Sequence, residues 1–181
     1  YFDSFEKFTD SLIDQSNNLT NVWEPRTTKN GYQSLGNLFR LQTLAVVNLK
    51  KIILKIINEY KITYKTRPDG LISEWPNKFY LLGWYNKLLK HGYQGAHIHP
   101  GGWLSGCFYL KMPKILKEGE GAINFSLHGY DYPIINSDIP FYQYPPKEGD
   151  LILFPSSLFH KTIPFSSNQE RHVIAFDIIP E

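Results

Sequence analysis

Residues 150–179 read DLILFPSSLFHKTIPFSSNQERHVIAFDII, and they contain the clearest structural pattern in the chain. Two apolar runs, Asp150–Phe154 and Arg171–Ile179, have the length of β-strands, and a polar Ser-Ser-Asn segment between them is typical of a turn. Pro155 closes the first run, and His160 follows five residues later. This stretch therefore predicts two strands of an antiparallel β-structure, with a histidine in the connection between them.

The same pattern continues outward from this stretch to about Gly70. Short apolar and aromatic runs alternate with turns that are rich in Gly, Pro, Asn and Asp. The further predicted strands are Lys78–Trp84, Ser105–Lys111, Ala122–Ser126 and Phe141–Tyr144. A second, short helix is predicted over Asn86–His91. We therefore expect a mainly β protein with flanking helices, arranged as a sandwich or jelly roll whose sheet begins near Lys78.

Residues before Gly70 show helical rather than strand periodicity. Apolar residues between Leu38 and Tyr60 recur on one helical face, which predicts a long amphipathic helix packed on the outer face of the sheet. A length of 181 residues fits one domain. We therefore predict a single domain over residues 1–181, with a mostly helical part, 1–70, packed on a jelly-roll core, 71–181.

The composition of the chain argues against nucleic acids and membranes as binding partners. The net charge is +2 and no dense Lys/Arg block is present, which argues against nucleic-acid binding. The most apolar run, Leu44–Ile57, contains Lys50, Lys51 and Lys55, which argues against a membrane span. Cys107 is the only cysteine, so an intrachain disulfide is impossible, and a reducing, cytoplasmic location is expected. We therefore expect a small-molecule or peptidyl substrate.

A possible metal site is formed by His97, His99 and His160. In a strand, residues two apart point to the same side, so His97 and His99 can face one ion. In a jelly roll, a late strand that leads to His160 lies beside an early strand that carries such a pair. Imidazole is a ligand for Fe, Zn, Cu and Ni, so these residues predict a metal site without selecting the metal.

Arg171 opens the last predicted strand and shares one face with Val173 and Ala175. A guanidinium beside small apolar residues needs an anionic partner, and a dicarboxylate bound in a bidentate manner would provide one. Ser105 and Tyr109 share a face of the strand after the histidine pair, and each can donate a hydrogen bond to the same ligand. Packing within the core is an equally good interpretation of Tyr109.

The order of these motifs resembles a known family. The segments HIHP at 97–100, WLSG at 103–106, EGDLILFPS at 148–156 and ERHVIAFD at 170–177 are similar to the 2-oxoglutarate/Fe(II)-dependent oxygenases found at the C-terminus of tetratricopeptide-repeat proteins. The spacing also resembles that of the prolyl hydroxylases. The resemblance implies a double-stranded β-helix and a dioxygenase that hydroxylates a C–H bond with release of succinate and CO₂.

The resemblance also implies the cofactors and their residues. Fe(II) would be bound by His97, His99 and His160, and 2-oxoglutarate, the co-substrate with O₂, by Arg171, with Tyr109 assisting. His99 departs from the wider superfamily, in which a carboxylate is usual at this position. Either His99 is a true third ligand, or it stands aside and water takes its place.

Two other classes of protein remain open from the sequence. A cupin-type metal enzyme or binding protein that does not use 2-oxoglutarate also has an HxH pair and a later histidine, but it leaves Arg171 without a role. A non-enzymatic jelly roll that binds carbohydrate or protein would use exposed aromatic residues, for which Trp75, Trp84 and Trp103 are candidates.

Overall fold

Two antiparallel β-sheets with helices on one side form the chain in a computed structural model that describes residues 2–114, 117–130, 132–135 and 138–181. The helices are α1 (Phe5–Asn17), α2 (Leu44–Thr63), α3 (Gly70–Ser73) and a 3₁₀ helix (Leu38–Arg40). The strands are β1 (Asn21–Trp23), β2 (Thr28–Ser34), β3 (Phe79–Gln94), β4 (Leu104–Lys111), β5 (Ile123–Ser126), β6 (Phe141–Tyr144), β7 (Leu151–Pro155), β8 (Phe159–Thr162) and β9 (Arg171–Pro180).

The larger sheet has the strand order β1-β2-β3-β9-β4-β7, and the smaller sheet has the order β6-β5-β8. The last strand, β9, lies between β3 and β4 and pairs with both in antiparallel register. Its centre is fixed by Ala175, which lies opposite Trp84 on one side and Cys107 on the other. Most of this framework is non-local, since strands far apart in sequence are neighbours. It confirms the mainly β, jelly-roll class predicted from the sequence.

The hydrophobic core lies between the helices and one face of the larger sheet. Helix α2 buries its apolar stripe there, including Leu49 and Ile53, and α1 adds Leu12. Alternate residues of β9, including Ile174 and Phe176, meet this stripe. Because strand residues alternate between faces, the other residues of β9 must point to the opposite side of the sheet. That opposite side is where the polar and charged residues of the strand lie.

The predicted long helix is divided in the structure. Leu38–Arg40 forms a 3₁₀ helix, and α2 begins only at Leu44. The Asn37 side chain explains the separate first turn, since its Oδ1 accepts from the backbone N–H groups of Phe39 and Gly83, at 3.0 Å each. The short turn is thereby attached to β3 rather than to the helix that follows.

The predicted helix over Asn86–His91 is wrong, because these residues belong to the long strand β3. Leu88 pairs with Gly31 of β2 on one side and with Arg171 of β9 on the other, and two ladders of backbone hydrogen bonds outweigh the weak helical preference of this segment. The strand predicted over Lys78–Trp84 is therefore only its first half.

The strands predicted after this point are confirmed to within one residue at either end. The sequence pattern does not predict α1, α3, the β1–β2 hairpin or β8. The sheet therefore begins at Asn21 rather than near Lys78. In the described part of the chain, no helix is both long enough and apolar enough to cross a membrane.

Neighbouring isoleucines of α2 provide a test of this packing. Ile53 is fully buried, whereas Ile52 is 41 % exposed. We expect Ile53→Ala to lower the free energy of unfolding by about 2–5 kcal/mol, because it leaves a cavity between α2 and the sheet. Ile52→Ala, the matched control, is expected to change it by about 0.5 kcal/mol or less. Equal effects of the two changes in urea denaturation would contradict this orientation of α2.

Candidate metal and co-substrate site

His97 and His160 are brought together by an antiparallel bridge that joins the two sheets. The backbone N–H of His97 donates to the carbonyl of His160 at 3.1 Å, and that of His160 donates to the carbonyl of His97 at 3.0 Å. His160 lies on β8 of the smaller sheet, whereas His97 follows the end of β3. His99 is anchored separately, by a 2.9 Å bond from its N–H to the carbonyl of Ser156.

The side chains of His97, His99 and His160 converge as the sequence predicts. One potential ligand atom from each ring lies within 4.8 Å of the other two. The segment that carries His97 and His99 is not a strand, however, apart from the single bridge at His97. The convergence comes from the bridge and from the Ser156 contact, and not from the alternation of a strand.

The Nδ1 atom of each ring already has a hydrogen-bond acceptor. His97 Nδ1 lies 2.7 Å from the Gly95 carbonyl oxygen, and His160 Nδ1 lies 3.0 Å from that of Leu158. A carbonyl only accepts, so both Nδ1 atoms must be protonated and both Nε2 atoms keep a free lone pair. Such contacts orient metal-binding histidines and select their tautomer. The rings are therefore set to present Nε2 to an ion.

Burial keeps two of these rings neutral. It lowers the pKa of His97, although the Gly95 carbonyl opposes this effect. It also lowers the pKa of His160 to about 3, and the neighbouring rings of His97 and His99 add to this effect. A neutral imidazole is the form that binds a metal ion, so the site needs to lose no proton from these rings near neutral pH.

Asp177 is a residue of the candidate site that the sequence analysis does not single out. Its Oδ1 lies 2.7 Å from His99 Nδ1 and 2.6 Å from Ser105 Oγ, and the residue is only 4 % exposed. The carboxylate therefore supports His99 as the two carbonyls support the other rings, and it adds a negative charge behind the site. A signal was present in the sequence, because Asp177 continues the two-residue spacing of Arg171, Val173 and Ala175.

Ser105 lies behind His99, outside the cavities of the site. Its hydroxyl donates to Asp177 and lies 3.0 Å from His99 Nδ1 and 2.8 Å from Ser156 Oγ. These contacts occupy the hydroxyl, so the placement does not support the predicted role of Ser105 as a co-substrate ligand. Its position favours support of His99 together with Asp177.

Arg171 lines the same enclosed cavity as the three histidines, with Val173 and Ala175 beside it. It is 3 % exposed and forms no ion pair within the described residues, and its Nε is buried without a hydrogen-bond partner. Tyr109 lies against it, with Cζ of the guanidinium 5.1 Å from the ring centroid. A buried and unpaired cation is costly, so the Arg171 guanidinium favours an anionic ligand beside it.

The Tyr109 hydroxyl is the second unsatisfied group near Arg171. It is buried near the guanidinium, but the two groups form no hydrogen bond of normal geometry. Burial raises the pKa of Tyr109, so the hydroxyl stays protonated and remains a donor. A ligand carboxylate beside Arg171 would satisfy both groups at once.

A second and wider cavity, of about 680 Å³, reaches the site from another side. It shares Trp84, His97 and His99 with the enclosed cavity, and it is also lined by residues of the β1–β2 turn and of the 3₁₀ helix. His97 and His99 thus lie between a small cavity that contains Arg171 and a larger one. The larger cavity has room for a substrate.

The remaining histidines stand outside the site, as the sequence predicts. His91 is exposed on β3, and the Nε2 of His128 lies 2.8 Å from the Tyr132 carbonyl oxygen. His172 points away from Arg171 and contacts the Tyr85 hydroxyl, with Nδ1 2.5 Å from the oxygen. The Cys107 thiol is kept protonated, since burial raises its pKa to about 12.

The three candidate tryptophans, Trp75, Trp84 and Trp103, do not form an exposed binding platform. Trp75 is buried in the core, and Trp103 packs against that core with its Nε1–H bonded to the Leu71 carbonyl at 2.9 Å. Only Trp84 lines the cavities of the site. This arrangement disfavours a module that binds sugars through all three rings.

Comparison with known proteins agrees with this geometry. Residues 83–177, more than half of the chain, match the family model described as "Putative 2OG-Fe(II) oxygenase". The matched segment includes all three histidines, Arg171 and Asp177. The chain therefore belongs to this family of 2-oxoglutarate- and Fe(II)-dependent oxygenases. No curated protein matches the sequence significantly.

Solved structures show the same fold at low sequence identity. A prolyl-4-hydroxylase from Pseudomonas putida superimposes with a TM-score of 0.59 and 11 % identity, over 97 % of this chain and 88 % of that one. HygX from Streptomyces hygroscopicus, solved with nickel and 2-oxoglutarate bound, superimposes with a TM-score of 0.60 and 12 % identity. The superposition covers 97 % of this chain and 79 % of HygX. The viral collagen prolyl hydroxylase of Paramecium bursaria Chlorella virus-1, solved as a 2-oxoglutarate complex, superimposes with a TM-score of 0.59 and 17 % identity. The superposition covers 99 % of this chain and 94 % of the viral enzyme. The fold is the double-stranded β-helix of these oxygenases.

Removing the charge of Asp177 tests its role behind His99. We expect Asp177→Asn to weaken metal binding by about 10- to 100-fold, because the carboxylate that orients His99 and offsets the charge of the ion is lost. Competition with a chromophoric chelator measures this affinity. Asp150→Asn is the matched control, since Asp150 contacts Tyr144 and Lys147 away from the site. Unchanged affinity in Asp177→Asn would show that His99 needs no carboxylate.

Proposed function

We propose that His97, His99 and His160 bind Fe(II) and that Arg171 binds 2-oxoglutarate in the adjoining cavity. The observation that carries this proposal is the pairing, in one cavity, of three converging imidazoles with a buried cation that has no anionic partner. Three imidazole donors suit iron, and a guanidinium matches a carboxylate in a bidentate manner. His99 acts as a true third ligand in this proposal, and Asp177 behind it provides the negative charge that a direct carboxylate ligand would otherwise contribute.

The reaction proposed is hydroxylation of a C–H bond in a small-molecule or peptidyl substrate. Bound Fe(II) and 2-oxoglutarate provide the activation of O₂, in which one oxygen atom enters the substrate and the other enters succinate as CO₂ is released. The residues of this chain position the co-substrate and the substrate and exclude water from them. Arg171 and Tyr109 bind the far carboxylate of the co-substrate, Val173 and Ala175 exclude water around it, and the wide cavity admits the substrate beside His97 and His99.

A cupin-type protein that does not use 2-oxoglutarate is the weaker alternative. It would employ the three histidines but leave the buried guanidinium of Arg171 without a ligand. The family match also favours the oxygenase. The reducing, cytoplasmic location remains a prediction from the single cysteine, and the single-domain organisation remains one from chain length.

Metal content tests the histidine triad. We expect His160→Ala to lose most of its bound Fe(II) under anaerobic conditions, because two ligands remain and the bridge strand no longer presents a third. Elemental analysis of the dialysed protein gives the metal-to-protein ratio. His91→Asn serves as the control, since His91 is exposed and its φ of 61° is one that asparagine tolerates. Full metal content in His160→Ala would show that the triad is misassigned.

Co-substrate affinity tests Arg171. Truncation to alanine leaves the ligand carboxylate buried without its partner, at a cost of roughly 3–5 kcal/mol. We therefore expect Arg171→Ala to bind 2-oxoglutarate two or more orders of magnitude more weakly, since about 1.4 kcal/mol is tenfold. Metal content should not change. The affinity of Arg171→Lys for 2-oxoglutarate should lie between those of the wild type and Arg171→Ala, because lysine keeps the charge but loses the planar pair of donors.

The measurement is a titration of 2-oxoglutarate into the Fe(II) protein without oxygen, followed by the metal-to-ligand charge-transfer band. Arg67→Ala is the control, since Arg67 is exposed and paired with Asp69. Wild-type affinity in Arg171→Ala would remove Arg171 from the site and favour the cupin alternative.

A further inference from the structure

Two exposed arginines line the wide cavity, and neither has an acidic partner among the described residues. Arg26 lies in the β1–β2 turn and Arg40 ends the 3₁₀ helix, and both contribute to the cavity wall beside His97 and His99. Neither side chain forms an ion pair or a hydrogen bond within the described residues. Glu24, the acid nearest to Arg26 in sequence, is occupied elsewhere, because its Oε1 accepts from the Asn30 N–H at 2.8 Å.

Both arginines are carried on backbone that is attached to the site. The turn that contains Arg26 is bonded to Gly95, whose N–H donates to the Thr27 carbonyl at 2.9 Å two residues before His97. Arg26 itself has φ 53°, a left-handed conformation that is uncommon for a residue with a side chain. The backbone at Arg26 is thus one residue away from a hydrogen bond to the segment that leads to His97.

The 3₁₀ helix that carries Arg40 is fixed on β3. The Asn37 side chain donates to the Leu81 carbonyl at 2.8 Å and accepts from the Gly83 N–H at 3.0 Å. The Phe39 ring packs over Gly83 so closely that a Cβ added there would lie 2.4 Å from it. Any side chain at position 83 would therefore force the Phe39 ring of the 3₁₀ helix to shift.

When the metal ion and 2-oxoglutarate are bound, their charges would not offset the positive charges of Arg26 and Arg40. The two negative charges of 2-oxoglutarate match the two positive charges of the metal, and the three histidine ligands are neutral. Arg171 and Asp177 offset one another in sign. Of the described residues that line the wide cavity, Asp177 is the only carboxylate, and it is already bonded to His99 and Ser105. Arg26 and Arg40 therefore make the substrate side of the site positive.

Resting on the proposed function, we infer that the primary substrate carries a carboxylate or phosphate group, which Arg26 and Arg40 bind in the wide cavity. Guanidinium groups match the oxygens of both anions with paired N–H donors. Anchoring the anion there holds the rest of the substrate over the His97–His99 side of the metal site. The two arginines thus determine specificity, and they are separate from Arg171, which faces the co-substrate.

Matched probes test this inference without knowledge of the substrate. The protein is loaded with Zn(II) and 2-oxoglutarate, so that no turnover occurs. Dissociation constants are then measured by NMR for N-acetyl amino acids against their primary amides, and for glycerol phosphate against glycerol. We expect the anions to bind roughly tenfold more tightly than their neutral counterparts. The tighter of the two anionic series identifies carboxylate or phosphate as the group recognised.

Substitution of Arg26 and of Arg40 tests whether these two residues bind the anionic probes. We expect Arg26→Gln and Arg40→Gln each to weaken binding of the anionic probes by about fivefold, as for exposed ion pairs, and to leave the neutral probes unaffected. Arg67→Gln, outside the cavity, is the matched control and should bind as the wild type does. Thermal unfolding midpoints verify that each variant is folded.

Three outcomes overturn the inference: neutral probes that bind as tightly as anions, no anionic probe that binds detectably, or anion binding that survives both substitutions. The charge-transfer titration of the same variants distinguishes this failure from failure of the proposed function. A wild-type band for 2-oxoglutarate in Arg26→Gln and Arg40→Gln, without anion preference, refutes the substrate class alone. Absence of the band in the wild-type protein refutes the proposed function, whatever the probes show.

Discussion

The pairing of β9 between β3 and β4 is the constraint on which the rest of the site depends. It places Arg171, Val173, Ala175 and Asp177 on one face of the larger sheet, whereas Ile174 and Phe176 face the helices. A shift of one residue would exchange the two faces and place Arg171 and Asp177 in the hydrophobic core. The burial of apolar side chains under α2 therefore also determines the register of the polar site. Packing on one face of the sheet therefore determines which side chains lie in the site on the opposite face.

The second constraint is the bridge between His97 and His160. It is the point at which the segment after β3 meets β8 of the smaller sheet, and its two hydrogen bonds bring ligands that are far apart in sequence to the same place. The remaining geometry is set by acceptors behind the rings. The carbonyls of Gly95 and Leu158 and the Asp177 carboxylate each occupy an Nδ1, so the three Nε2 atoms are left for an ion. In the proposed site, the Asp177 carboxylate would act on the metal through His99 rather than as a direct ligand.

The sequence alone could predict elements whose pattern is local. Strands such as Phe141–Tyr144 and Arg171–Pro180 show apolar runs bounded by turn residues, and they were located to within a residue. The region around Leu88 was mistaken for a helix, because its strand character comes from partners on β2 and β9 that no local window contains. β8 was missed for a similar reason, since it has only four residues and exists through its pairing with β5.

The residue types and spacings of the sequence by themselves determined the family, the mainly β class and the identity of the groups that meet in the site: three histidines and Arg171. Only the tertiary structure decided how they are used. It placed Ser105 behind His99 rather than in the cavity that Arg171 lines, joined Asp177 to His99, and positioned Arg26 and Arg40 along the wide cavity. The physical reason is that a side chain's role depends on which hydrogen bonds and charges surround it. Those neighbours come from strands and turns that are distant in sequence and adjacent only after folding.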